Sequence, residues 1–176
     1  MQIDSLVAAL PQDFADNSKV WIFQGSRAFI EKEQTEINEQ LYQFYTQWVS
    51  HGDPVKGWAK LVYGQFIVVL ADEKQTQIGG CSTDGMMRMI KSLERQYSVN
   101  FFDRLMITFL KNEKAEMLPF TQIQYALDNN HITENTLIFN NAIVNTKKEL
   151  LNQWLVPLKE SWLASRVSFK SSLTTQ

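Results

Sequence analysis

Phe66-Ile67-Val68-Val69-Leu70 is apolar at every position. A short unbroken run rich in β-branched residues reads as a strand held inside a sheet, away from its edges. The chain must therefore build a layered sheet around residues 65–71. A second strand, 55–61, precedes it across a turn near Tyr63-Gly64, with Trp58 facing opposite to its neighbours. Val20-Trp21-Ile22-Phe23, closed by Gly25, and Leu105-Met106-Ile107-Thr108-Phe109-Leu110 supply two more.

Helical periodicity fills the gaps between these runs. Ile37, Leu41, Phe44, Tyr45, Trp48 and Val49 form a stripe that predicts a helix over 33–50, ending at Gly52. Met86, Met87, Ile90, Leu93 and Tyr97 predict a second over 83–97. The order is β-α-β-β-α-β. This is the ferredoxin-like pattern of the α+β class, an antiparallel sheet with two helices on one face.

Outside this core, Ile3, Leu6, Val7 and Leu10 predict a short helix stopped by Pro11. Beyond residue 111, Glu116-Met117-Leu118 reads as an added strand and 121–128 as a short helix. Residues 132–144 have a loop composition broken by apolar side chains. Thr146-Lys147-Lys148-Glu149 matches a capping box. The helix it opens carries Leu150, Leu151, Trp154, Leu155, Leu158 and Trp162, and Pro157 must kink or split it. The expectation is a single domain over 1–167, with its core at 20–111, a helical C-terminal extension at 121–165 and a frayed tail at 168–176.

Composition narrows the function classes. A chain of 176 residues buries about 70% of its extended surface, so it needs no disulfide or metal to fold. Its 17 basic and 19 acidic residues are interspersed, without the basic face of a nucleic-acid binder. The single cysteine allows no internal disulfide and leans towards a reducing compartment. Met1 to Val7 lacks the basic and apolar regions of a secretory signal, and no run approaches the roughly 20 apolar residues of a membrane span. These features predict a cytoplasmic protein acting on neither nucleic acid nor membrane.

Candidate chemistry concentrates at Gly79-Gly80-Cys81-Ser82-Thr83-Asp84-Gly85, the junction between an apolar strand and the second helix. A thiol beside a helix N-terminus sits where free backbone N–H groups and the helix dipole favour a thiolate. Asp84, or His51 if the fold brings it near, would be the base or orienting group. The same donors would suit an anion, with Ser82 and, from the next strand, Arg104 as further ligands. The plainer reading makes Ser82 or Asp84 the helix cap and Cys81 a small buried hydrophobe that reacts slowly. Trp58, flanked by Lys56 and Lys60, is the candidate for an exposed aromatic contact, while Trp48, Trp154 and Trp162 lie in helical stripes as core. His51 and His131 are 80 positions apart and lack ligand spacing, so neither a metal site nor a cofactor is expected. His51, next to Gly52, reads as a cap on the first long helix.

Several segments resemble an uncharacterised family of bacterial proteins that carries the automated label "ABC transporter ATPase". They are Val20-Trp21-Ile22-Phe23-Gln24, Gly80-Cys81-Ser82-Thr83-Asp84, Phe102-Asp103-Arg104 and Phe139-Asn140-Asn141, followed by Trp154, Pro157, Leu158 and Ser161-Trp162. The resemblance implies no established activity. The label fails on the residues: a P-loop needs Gly-x4-Gly-Lys-Ser/Thr, but Gly52 and Gly57 are followed by Trp58-Ala59, and Gly80 and Gly85 by Met86-Met87. The expected function is binding without catalysis, as a homodimer or with a protein partner. The alternative is a cysteine-dependent or small-ligand-binding enzyme centred on Cys81, and solvent access at that thiol separates the two.

Overall fold

The computed structural model describes residues 3–169. Helix α1 (Ile3–Ala9) leads to strand β1 (Lys19–Gln24), helix α2 (Glu31–Thr46), the two-residue strands β2 (Val49–Ser50) and β3 (Asp53–Pro54), then β4 (Lys56–Val62) and β5 (Phe66–Asp72). Helix α3 (Gly80–Tyr97) follows, then β6 (Met106–Lys111), β7 (Lys114–Pro119), α4 (Ile123–Asp128), β8 (Leu137–Phe139), α5 (Lys147–Gln153) and β9 (Leu155–Pro157). All the sheets are antiparallel, giving an α+β protein.

The first sheet has the order β1-β5-β4, with the long apolar strand in the centre. Its side chains alternate between two cores. Ile67, Val69 and Ala71 face Ile37 and Leu41 of α2 and Met86, Ile90 and Leu93 of α3. Phe66, Val68 and Leu70 face Leu6, Leu10, Phe14, Phe139, Leu150 and Trp154. Every residue of β5 is buried because both faces are covered, and each large apolar side chain sealed this way contributes about 1.5–3 kcal/mol.

Helices α2 and α3 cover one face of this β1-β5-β4 sheet. The fourth strand of the ferredoxin-like expectation does not join it. Strand β6 pairs with β7 and β8 in a second sheet of order β7-β6-β8-β9. The segment 121–165 is thus only partly helical. Pro157 lies in β9 and a 3-10 turn follows at Leu158–Glu160, so the stripe from Leu150 to Trp162 splits into helix, strand and turns. This sheet encloses a third core of Ile107, Phe109, Ile123, Ile138, Leu158 and Leu163. Of the tail expected at 168–176, residues 170–176 lie outside the described residues.

The end of the first long helix differs from the expected 33–50. Helix α2 ends at Thr46, and Val49–Ser50 turns back onto Asp53–Pro54 through His51 (φ 53°) and Gly52 (φ 90°). Paired positive φ values are the type I′ hairpin geometry, so His51 is a hairpin-tip residue rather than a helix cap. The capping box is formed as expected: Thr146 accepts from Glu149 N, and Glu149 Oε2 accepts from Thr146 N at 2.9 Å.

The segment before β1 is tied down by buried charge. Lys147 Nζ donates to Pro11 O and Phe14 O, both at 2.9 Å. Asp72 accepts from Ala15 N at 3.2 Å and Lys74 N at 3.1 Å, with Lys56 Nζ 3.6 Å away. Burial opposes ionisation of Asp72, but the two N–H groups and the Lys56 charge outweigh it and hold the carboxyl below its ordinary range.

Candidate functional site

The glycine-cysteine junction is built by a tertiary clamp rather than by a local cap. Helix α3 starts three residues earlier than the stripe predicts, at Gly80, with Gly79 in the N-cap position and no side-chain cap or first-turn carboxylate. Ser82 and Thr83 lie inside the helix and turn their hydroxyls back to Gly79 O, at 2.8 and 3.0 Å. Asp84 lies past the first turn and is exposed. The expectation that Ser82 or Asp84 caps the helix is therefore not met.

The capping work falls to Ser50, 29 residues upstream in β2. Its hydroxyl accepts from Gly79 N at 3.2 Å and donates to Gln77 O at 2.7 Å, and Ser82 Oγ lies 3.3 Å away. Trp48 adds an indole N–H to Ser82 O at 3.0 Å. Its ring lies so close over Gly57 that a Cβ there would sit 2.8 Å from it.

This hairpin also carries His51 to the start of α3. His51 Nε2 lies 2.6 Å from where a Cβ on residue 79 would sit, so the imidazole occupies the space that glycine leaves. Cys81 is exposed, contrary to the expectation of burial between sheet and helix. Ser82 takes the inward position instead, at 4% exposure. Successive helical residues are turned by about 100°, so the thiol points away from the face that holds Ser50 and Ser82. The fold brings Cys81 and His51 to one helix end without stacking them on one face.

Arg104 does not join this site. It follows the C-terminal end of α3, a helix of 18 residues and about 27 Å. Neighbouring Phe102 packs on Phe23, which pairs with Ile67 near the start of β5. Trp58 is half-buried against the second core and is not a free aromatic contact. Among the described residues, no group of three or more His, Cys, Asp or Glu side chains is placed to hold a metal. No described helix is long and apolar enough to cross a membrane.

An exposed aromatic surface lies at the rim of the third core. Leu105 and Phe120 extend the β6–β7 register by one pair, with Phe120 N donating to Leu105 O at 2.7 Å. They fall on the same face as Ile107 and Leu118, which pack in that core. Trp162, read as core from its stripe, is exposed and stacks on Phe120 with ring centroids 6.0 Å apart and planes 14° from parallel. Leu105 is 71% exposed. In the sequence, Leu105 opens an apolar strand run and Phe120 falls between the expected strand at 116–118 and the helix at 121–128, so neither position marks this rim.

A polar seam joins the two sheets. Trp154 Nε1 donates to Asn141 Oδ1 at 2.7 Å, Asn141 Nδ2 to Gln24 Oε1 at 2.9 Å, and Gln24 Nε2 to Met106 O at 3.3 Å. These residues act as joints of the fold. The chain matches no protein-family model, no curated protein and no solved structure.

Proposed function

We propose that the protein works by binding, as a pair of identical chains joined through Leu105, Phe120 and Trp162. The observation that carries this reading is the exposed, parallel Phe120–Trp162 stack beside Leu105, which continues a packed core out to solvent. An apolar patch is self-complementary about a two-fold axis and needs no opposite charge on its partner. Its frame is the β-α-β-β-α layer, read as a ferredoxin-like unit whose fourth strand serves the second sheet. The interspersed charges and single cysteine suit a cytoplasmic setting without nucleic acid. Sedimentation equilibrium tests it: the wild type is expected to be dimeric, and Leu105→Glu and Trp162→Ala monomeric. A wild type that stays monomeric up to high micromolar concentration overturns the reading.

A second reading is favoured by the exposure of Cys81 in the first turn of α3. There the Cys81 thiol gives its proton to solvent and its sulfur attacks a disulfide, forming one S–S bond as the other breaks and the outer thiolate leaves, with His51 at the same helix end. The check is the rate of disulfide-reagent labelling in native buffer against the urea-unfolded chain. Faster labelling of the native protein, slowed by His51→Ala, supports a tuned nucleophile. Native labelling no faster than unfolded leaves an ordinary surface thiol.

A further inference from the structure

The polar seam between the sheets ends on a methionine. Its direction is set by Trp154, whose indole N–H can only donate. Trp154 Nε1 donates to Asn141 Oδ1, so Asn141 Nδ2 faces Gln24 Oε1 and the Gln24 amide nitrogen is turned towards β6 and β7. That nitrogen donates to Met106 O at 3.3 Å and to Met117 Sδ at 3.6 Å. Gln65 reaches the same sulfur from the β4–β5 turn. Its Nε2 donates to Gly25 O at 3.0 Å and to Met117 Sδ at 2.7 Å.

Both glutamines are buried, Gln24 at 9% and Gln65 at 1% exposure. Each gives one amide hydrogen to a carbonyl oxygen. The other hydrogen has only a thioether, which is a weak acceptor. Met87, Met89 and Met106 are half-buried like Met117, but among the described residues only Met117 has donors on its sulfur.

An oxygen on that sulfur would complete both amides. A sulfoxide oxygen is a strong acceptor, one bond out from the atom that the two N–H groups already address. Set to the side of the two S···N lines, it comes within reach of both. Oxidation of a packed methionine disrupts a core because it turns an apolar side chain polar. At Met117 the donors for the new oxygen are in place beforehand. They also meet negative charge as it develops on the oxygen during transfer. Met117 lies on β7, which ends the second sheet and pairs on one side only.

We propose that Met117 is a site of reversible oxidation by peroxide, with Gln24 and Gln65 holding the sulfoxide oxygen. The sulfur lone pair attacks hydrogen peroxide. An S–O bond forms as the O–O bond breaks, the sulfur gives up two electrons, and the proton of the transferred oxygen goes to the departing one, which leaves as water. A methionine sulfoxide reductase reverses the step. Oxidation makes the sulfur a stereocentre, and donors held in fixed positions favour one of its two epimers.

The test treats the full chain with dilute hydrogen peroxide in native buffer and follows each methionine by peptide mass spectrometry. Sulfoxide is expected at Met117 ahead of Met87, Met89 and Met106. After digestion, one of the two epimer-specific reductases should remove about tenfold more of it than the other, whereas the urea-unfolded chain should give both epimers in near equality. Gln24→Leu and Gln65→Leu should each bring the Met117 ratio towards one. A Met117 that stays reduced while Met106 oxidises overturns the proposal. So does an equal epimer ratio in the folded chain, or a ratio unchanged in both glutamine variants. Should those variants fail to fold, Met117→Gln, which places a carbonyl oxygen near the sulfur position, is compared with Met117→Leu. The first should have the higher urea midpoint, and an equal or lower one overturns the proposal.

Discussion

The two sheets differ in how completely they are covered. In the first, β5 is buried at all seven positions, with α2 and α3 on one face and α1, α5 and the Phe139 segment on the other. In the second, β6 packs Ile107 and Phe109 inward while its next neighbour, Leu105, lies open beside Phe120 and Trp162. Sealing both faces leaves a strand nothing to offer a partner. A sheet that runs out of cover at one end keeps its apolar rim available. That contrast is why the binding reading is placed on the second sheet.

The largest expected effect is in the sealed sheet. Phe66 is fully buried and touches Phe139 at 4.5 Å and Trp154 at 5.3 Å between ring centroids. Phe66→Ala should destabilise by about 3–5 kcal/mol in urea unfolding. A loss below about 1 kcal/mol would mean that the two cores do not share this strand as a rigid wall.

The same contrast decides what could be read from the sequence. The Phe66–Leu70 run, the Val20–Phe23 run and the Tyr63-Gly64 turn were legible because each is specified by neighbours along the chain. The second sheet was not. Leu137–Phe139 is three residues long and finds its partner in β6 across a gap that includes all of α4. Periodicity could not reveal that pairing, and Leu155–Pro157 sat inside a stripe that looked helical. The start of α3 was missed for a related reason. Two glycines and three cap-forming side chains pointed to Ser82 or Asp84, but Ser50 supplies the cap from another element. The location of Cys81 at a helix start was legible. Its exposure was not, because one turn holds both an inward and an outward position and Ser82 took the inward one.

A middle-sized effect separates the rim of the first sheet from its centre. Asp72, at the end of β5, is 2% exposed and holds Ala15 N, Lys74 N and Lys56. Its folded pKa lies below the ordinary 3.8. Its contribution is therefore complete above the unfolded value and lost as pH falls through the folded one. Asp72→Asn should cost about 1–3 kcal/mol at pH 7 and flatten the acid limb of the stability curve below about pH 4. An unchanged acid limb would assign acid unfolding to other carboxylates.

Ser50 tests the clamp that joins the β2–β3 hairpin to α3. Ser50→Ala leaves Gly79 N without its acceptor and removes the bond to Gln77 O. A loss of about 1 kcal/mol is expected, with faster amide exchange confined to Gly79, Gly80 and Cys81. Asp84→Ala, outside that clamp, should leave the midpoint within about 0.5 kcal/mol of wild type. If Asp84→Ala costs more than Ser50→Ala, the helix is capped by its own carboxylate and the clamp account fails.

The smallest expected change in stability belongs to the open sheet, and it sharpens the comparison most. Leu105 gives little packing to its own chain, since most of its surface faces solvent. Leu105→Glu should therefore shift the unfolding midpoint by less than about 0.5 kcal/mol at concentrations where the chain is monomeric. At higher concentration the wild type should gain stability with protein concentration, because assembly stabilises only the folded form. The variant should show no such gain. Equal concentration dependence in both proteins would detach the rim from self-association. A large loss in the dilute variant would show that the second sheet needs Leu105 as core, which would erase the difference between the sheets on which the binding reading rests.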